Sequence, residues 1–280
     1  MAQTVGELFP LTGRVHAWLV LEWGSRKETP AQVAERILPT LSLFRGRFPE
    51  TDARWQVSVQ TIFGRHAPWV DIPDGPEELG ALIQSPRQRD VADSLVDTGT
   101  LTAKFSLTAA GDPDNGLFVF DISAGRSFVW DTPANRIPLR PPADFVIGSP
   151  EEAQGWFTAL ARIWQPETAC LITPGTMDSC REKRKRLGLD HRSVYAPSVG
   201  YLNWLSHTGY GRIPFPLEAV VREHPEGTLI SVKDWTAAAV ADLYEELETM
   251  GMLHQIPDVQ VFGDPADDGE AEGEDHHGGY

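Results

Sequence analysis

Eight histidines and two cysteines are the side chains of this 280-residue chain best suited to hold a metal or act as nucleophile and base. His16, His66, His191, His207, His224 and His254 are scattered, with no pair four residues apart on one helical face. As metal ligands they would have to converge through the fold. His276-His277 follows Asp275 in a tail and reads as solvated. Cys170 and Cys180 have nine residues between them, which is neither a disulfide framework nor a zinc spacing. They read as free thiols of a reducing compartment.

Sequence motifs that would announce an enzyme are missing. There is no Gly-x-Ser-x-Gly elbow, no phosphate loop, no Gly-x-Gly-x-x-Gly opening a helix, and no His-Glu-x-x-His. A restriction-type nuclease needs an acid followed by Asp/Glu-x-Lys on a neighbouring strand. Glu182-Lys183-Arg184 ends in Arg on an expected helix, and no Glu-x-Lys follows Asp258. No catalytic residue, metal or cofactor is therefore expected.

Charge is more informative. The net charge is −16, and half of it sits in residues 258–280, which hold eight acids and no Lys or Arg. This Gly-rich segment reads as a disordered acidic tail. The remainder is still acidic, which argues against nucleic-acid binding through phosphates and favours a basic partner. One basic run, 181–186, has five cations in six residues and reads as the solvated face of a short helix. Among nine tryptophans, Trp18, Trp23, Trp55, Trp156 and Trp164 sit in apolar patterns and read as core. Trp69, Trp130, Trp204 and Trp235 lie beside acids or polar turns, where aromatic anchors serve protein recognition. Candidate partner-binding residues are Asp71, Asp74, Trp130, Asp131, Tyr201, Trp204, Tyr210, Asp234 and Trp235.

The elements that must position these residues are marked locally. Residues 14–23 read as a buried strand. Thr29 caps a helix with Pro30 first and Gln32 completing a capping box, and Pro39 should kink or end it. Strands are expected at 55–59 and 101–108, the latter returning through the Gly111–Gly116 turn at 117–122 and extending at 127–130. A short helix spans 76–83. Prolines 138, 141, 142 and 150 mark a candidate sub-boundary at 138–150. Ser149, Pro150 and Glu152 open a second capped helix whose stripe is Ala153, Trp156, Phe157, Leu160, Ala161 and Trp164. Then come a strand at 169–173, a helix at 179–187, strands at 199–205, 219–223 and 228–233, and a helix at 236–250. This order predicts an α+β fold of mainly antiparallel sheet with helices packed on one face, built from two similar-sized halves. It reads as one unit over 1–257 followed by the tail. With no secretory leader and no apolar run long enough to span a bilayer, a cytoplasmic protein without membrane contact is expected.

Five stretches carry a resemblance. They are Trp164-Gln165-Pro166-Glu167-Thr168-Ala169, then Val199-Gly200-Tyr201-Leu202-Asn203-Trp204-Leu205, Ile213-Pro214-Phe215-Pro216, Glu226-Gly227-Thr228-Leu229-Ile230, and Ala53-Arg54-Trp55 ahead of a hairpin meander. Their order and spacing over residues 12–255 resemble the immunity protein 52 family of bacterial polymorphic toxin systems. That resemblance implies an α+β fold without enzymatic activity. It further implies a cytoplasmic immunity protein that binds a cognate restriction-endonuclease-like toxin, often a type VI secretion effector. The long acidic tail departs from the family core. Two other readings stay open, a non-enzymatic adaptor and an unrecognised metal-dependent enzyme, as does a homodimer.

Overall fold

The computed structural model describes residues 3–9, 16–48, 52–59, 68–83, 101–109, 113–125, 135–189, 196–214 and 216–254. The tail, Trp130, Asp131 and the expected strand at 127–130 lie outside these.

Ten strands hydrogen-bond into a single antiparallel sheet in the order β3-β2-β4-β5-β6-β1-β7-β8-β10-β9. They are β1 (Trp18–Trp23), β2 (Arg54–Val59), β3 (Val70–Asp71), β4 (Leu101–Thr108), β5 (Phe118–Ala124), β6 (Asn135–Leu139), β7 (Thr168–Ile172), β8 (Leu202–Ser206), β9 (Ala219–Glu223) and β10 (Gly227–Val232). Among the described residues the helices are α1 (Val5–Leu8), α2 (Pro30–Arg45), α3 (Pro76–Ile83), α4 (Pro150–Trp164), α5 (Pro174–Arg186), α6 (His207–Tyr210) and α7 (Ala237–Thr249). The α+β class is as the sequence predicts.

Both capping boxes form. Thr29 accepts from the Gln32 N–H and Ser149 from the Glu152 N–H, each with the reciprocal bond. Helix α2 does not stop at Pro39 but continues to Arg45. Both Pro39 and Glu35, whose carbonyl loses its partner four residues on, are exposed, so water can satisfy the orphan. Helix α5 begins earlier than the basic run announced: Thr173 and Thr176 form a capping box one residue before Pro174. The 138–150 segment also hides a strand, because Pro138 lies in β6 opposite Val20. The β5 side of β6 pairs through Ser123 and Arg136 alone, so the missing N–H interrupts little ladder.

Helices α2 and α4 cover one face, locked together where Trp164 Nε1 donates to Thr40 Oγ1 at 2.8 Å in the buried interior. Phe44 of α2 sits edge-on to Phe118 at 5.3 Å and Phe145 meets Trp156 at 5.7 Å, extending one continuous core. Strand β5 alternates between buried and accessible positions. Strands β7, β8 and β10 are instead buried at every position, so their sheet region is covered on both sides. The expectation of helices on one face holds for the N-terminal part; beyond β7, α5 and α7 add a layer on the side that Cys170 faces. Burial raises the Cys170 thiol far above its ordinary range and pushes Cys180 of α5 up to about 12. Neither is a ready nucleophile.

Candidate binding site

Beyond β2, at the end of the sheet among the described residues, two of the predicted acids line one cleft. Helix α2 turns Leu38, Leu41, Ser42 and Arg45 toward β2 and the 72–74 loop, leaving a cleft of about 510 Å³. Trp55, Ile72 and Pro73 complete an apolar floor, and Arg45, Arg54, Asp71 and Asp74 stand around it. That volume lies within the range of pockets that accept a small ligand or a protruding side chain. The floor is fixed by hydrogen bonds: Trp55 Nε1 donates to the Leu41 carbonyl at 3.0 Å, and Arg45 Nε donates to the Ala53 carbonyl at 3.1 Å. On the rim, Asp71 accepts from Arg54 at 3.3 Å and from Gln56 Nε2 at 3.0 Å. Arg54 and Asp71 are 69% and 61% exposed, so their pair contributes at most about 1 kcal/mol and can be exchanged for a partner's charge. Asp74 is exposed beside them. Strand β3 is only two residues long and Val70 is 41% exposed, so among the described residues the sheet ends in a short edge without a further strand.

The other predicted residues fall elsewhere. Tyr201, Trp204 and Tyr210 are core residues, 5%, 1% and 6% exposed, because the double-sided cover of β8 buries aromatics that the sequence places at loop ends. They cannot anchor a partner without opening the core. Asp234 is exposed ahead of α7. Trp235 is half-buried in a three-ring stack, 5.5 Å from Tyr201 and 5.9 Å from Phe9. Helix α7 packs on β10, eight strands from β3, which puts Asp234 roughly 40 Å from Asp71 along the sheet.

A second polar cluster sits where β8, β9 and β10 end. His207 Nε2 lies 2.9 Å from Glu223 Oε2, and the Thr228 hydroxyl donates to Glu223 Oε1 at 3.0 Å. The trio looks like a hydrolytic relay but is not arranged as one. A relay uses the two imidazole nitrogens for different partners, one for the acid and one for the nucleophile. Here Nε2 faces both Glu223 and Thr228, and Nδ1 faces the Pro225 carbonyl at 3.3 Å. The trio pins α6 to the β9–β10 hairpin. Beside it, Arg162 donates to His224 Nδ1 at 3.0 Å, and burial, then Arg162, holds His224 below its usual range. Among the described residues, no group of three or more His, Cys, Asp or Glu is placed to hold a metal, and no helix is long and apolar enough to cross a membrane.

No family model and no curated protein matches the chain. Among solved structures it is similar to a Pseudomonas aeruginosa T6SS protein, PA0821, with 14% identity over 85% of this chain and 76% of that one and a TM-score of 0.45.

Sequence reasoning missed Arg45, Arg54, Ile72 and the α2 side of the cleft. The capped helix and the alternating Trp55 strand were visible separately, but nothing local says that they face each other.

Proposed function

We propose that this chain is a non-enzymatic immunity protein that neutralises a nuclease toxin by covering it, with the β3-edge cleft as part of its contact surface. The observation that carries the reading is the placement of Asp71 and Asp74, both exposed, on the rim of an apolar cleft at the end of the sheet among the described residues. The chain around them has a net charge of −16. A nuclease must present cations to the phosphates it cleaves, so an acidic protein is steered onto it. An apolar floor with a charged rim is the anatomy of a protein contact, the floor supplying affinity and the rim register. The family resemblance adds the type VI effector as the class of toxin. Among the described residues both thiols are buried or half-buried, and the His207 cluster has the geometry of a clamp.

The test is purification of the chain from its source cells together with whatever is bound, followed by expression of that partner alone and with the chain. A stoichiometric partner with a nuclease domain, toxic alone and harmless in company, is the expected result. A partner that is not toxic would make the chain an adaptor. A chain that emerges alone with stoichiometric metal would overturn the proposal in favour of an enzyme.

A further inference from the structure

Helix α5 ends in Arg181, Lys183, Arg184, Lys185 and Arg186, a cationic face on a protein whose net charge is −16. One of these cations already holds acids. Lys183 Nζ lies 3.0 Å from Asp242 and 2.7 Å from Glu245 of α7, contacts that raise its affinity for a proton. Arg181, Lys185 and Arg186 are exposed, and Arg184 is half-buried with its charge felt at Cys180. Arg181 pairs with Asp178 at 2.8 Å and Lys185 with Glu182 at 3.4 Å, both within the same helix and with more than half of each side chain exposed. Such pairs contribute only about 0.3–0.5 kcal/mol each and yield readily to a denser set of acids. Met177 and Leu187 add exposed apolar surface at the two ends of the helix, 41% and 40% accessible.

The helix pair also shows where the chain leaves this region. Thr173, the cap of α5, lies 3.5 Å from the Tyr201 hydroxyl, and the Tyr201 ring stacks on Trp235, just ahead of α7, at 5.5 Å. Ten residues further along each segment, Lys183 meets Glu245. The two helices therefore run side by side in the same direction, and Arg184–Arg186 stand at the end where α7 finishes; the chain then turns to α6, where the His254 ring lies 4.5 Å from that of Tyr210. Asp258, the first acid of the tail, comes four residues after His254 and can be about 13 Å away. Residues 258–280 span up to about 75 Å when extended, so the segment is long enough to reach the cations. Residues 258–280 carry eight acids and no cation.

We propose that the acidic segment 258–280 docks on the outer face of α5, with its carboxylates against Arg181, Arg184, Lys185 and Arg186. The short connection gives the tail a local concentration in the millimolar range, so many weak ion pairs act together. Docking removes this basic helix from competition for polyanions, as suits a protein that must find a basic partner among nucleic acids.

Paramagnetic relaxation tests this on the full chain. A nitroxide is placed at Gly269→Cys; with Cys170 buried and the Cys180 thiol at about 12, neutral-pH labelling goes to the tail. At low salt the label should erase amide signals of residues 181–188. Those signals should return in 0.5 M NaCl, where screening acts within about 4 Å, and in the Arg184→Glu/Lys185→Glu/Arg186→Glu variant. Signals of α5 that persist at low salt, losses centred elsewhere, or losses indifferent to the reversal would overturn the proposal. A column of immobilised heparin gives a second readout: the chain ending at Pro257 should be retained at salt where the full chain elutes, and equal elution would overturn it.

Discussion

Replacing Arg36 by Met should be among the most damaging single changes to the helical layer that carries the cleft. Arg36 projects from α2 to the C-terminal end of α4, donating to the carbonyls of Ile163 at 2.9 Å and Trp164 at 3.0 Å. These carbonyls have no helical partner, and a guanidinium there also opposes the negative end of the helix dipole. Its Nε lies 3.0 Å from Glu28 Oε1, with Glu28 only 5% exposed. Neither carboxylate oxygen of Glu28 has a formed hydrogen bond, so charge attraction is what offsets its burial. Met keeps the aliphatic stem but takes away the cation in contact with the carboxylate, leaving it the charge of Arg26. Breaking a buried pair costs about 3–5 kcal/mol. Arg36 is itself 22% exposed, which places the value near the lower end, about 3 kcal/mol. The Trp164 carbonyl keeps Arg26 at 2.7 Å, so only Ile163 loses its donor. At about 2–4 °C per kcal/mol for a chain of this size, Arg36→Met should lower Tm by about 6–12 °C. Glu28→Met should cost far less, because Arg36 retains its carbonyls, and Glu28→Met/Arg36→Met should regain at least about half of the loss. Urea unfolding followed by tryptophan fluorescence measures all three. A single Arg36→Met variant within about 0.5 kcal/mol of the parent, or a double variant no better than it, would refute the assignment of that energy to a stranded Glu28.

Other expectations follow from the same geometry. Asp71→Lys with Asp74→Lys should slow association with the nuclease partner on the order of tenfold at low salt, with the difference closing at high salt; stopped-flow on-rates that do not change would remove the β3 edge from the interface. His224 binds a proton less readily in the folded chain than its ordinary value of 6.5. The unfolded state then takes up the proton first as pH falls, so stability should be level above about pH 6.5 and decline below it. His224→Asn should flatten that decline, and parallel pH profiles would contradict the stated cause. A Cβ at Gly227 would lie 2.6 Å from the Leu205 carbonyl and 2.7 Å from the Trp204 ring. Gly227→Ala should therefore cost about 1–3 kcal/mol by urea titration, and a neutral result would mean that β8 and β10 can part without penalty. Removing 258–280 should leave protection from the toxin intact, as scored by growth on co-expression; loss of protection would make the tail the inhibitor.

Local chemistry made most elements readable from the sequence. Thr29 with Gln32 and Ser149 with Glu152 announce their helices because a cap is a contact over three residues. The segment 101–108 announces a strand by alternation. Pro39 and Pro138 misled because the cost of a proline depends on what lies across from it, solvent in one case and a one-bridge ladder in the other. Trp204 misled for a related reason: Asn203 beside it looks like surface polarity, yet its amide bonds to Gly200 and reaches the Ile230 carbonyl inside the core. Of the candidate site, Asp71 and Asp74 were legible as acids near a turn. The cleft was not, since Leu38 and Ile72 meet only after α2 has packed across β2.

Strand β1 lies between β6 and β7, pairing with both over five residues each. Removing it would part a five-stranded piece from a four-stranded one. The ribosome makes β1 first, yet its two neighbours end at Leu139 and Ile172. A nascent chain must therefore carry Trp18–Trp23 with both edges unpaired through more than a hundred further residues. During that interval the apolar strand is a target for chaperones and for pairing with other copies. Closure at its centre comes late, and once closed neither half of the sheet can open without breaking a ladder of the other. Slow synthesis or a weakened β1 should thus appear as loss of yield rather than as a less active protein.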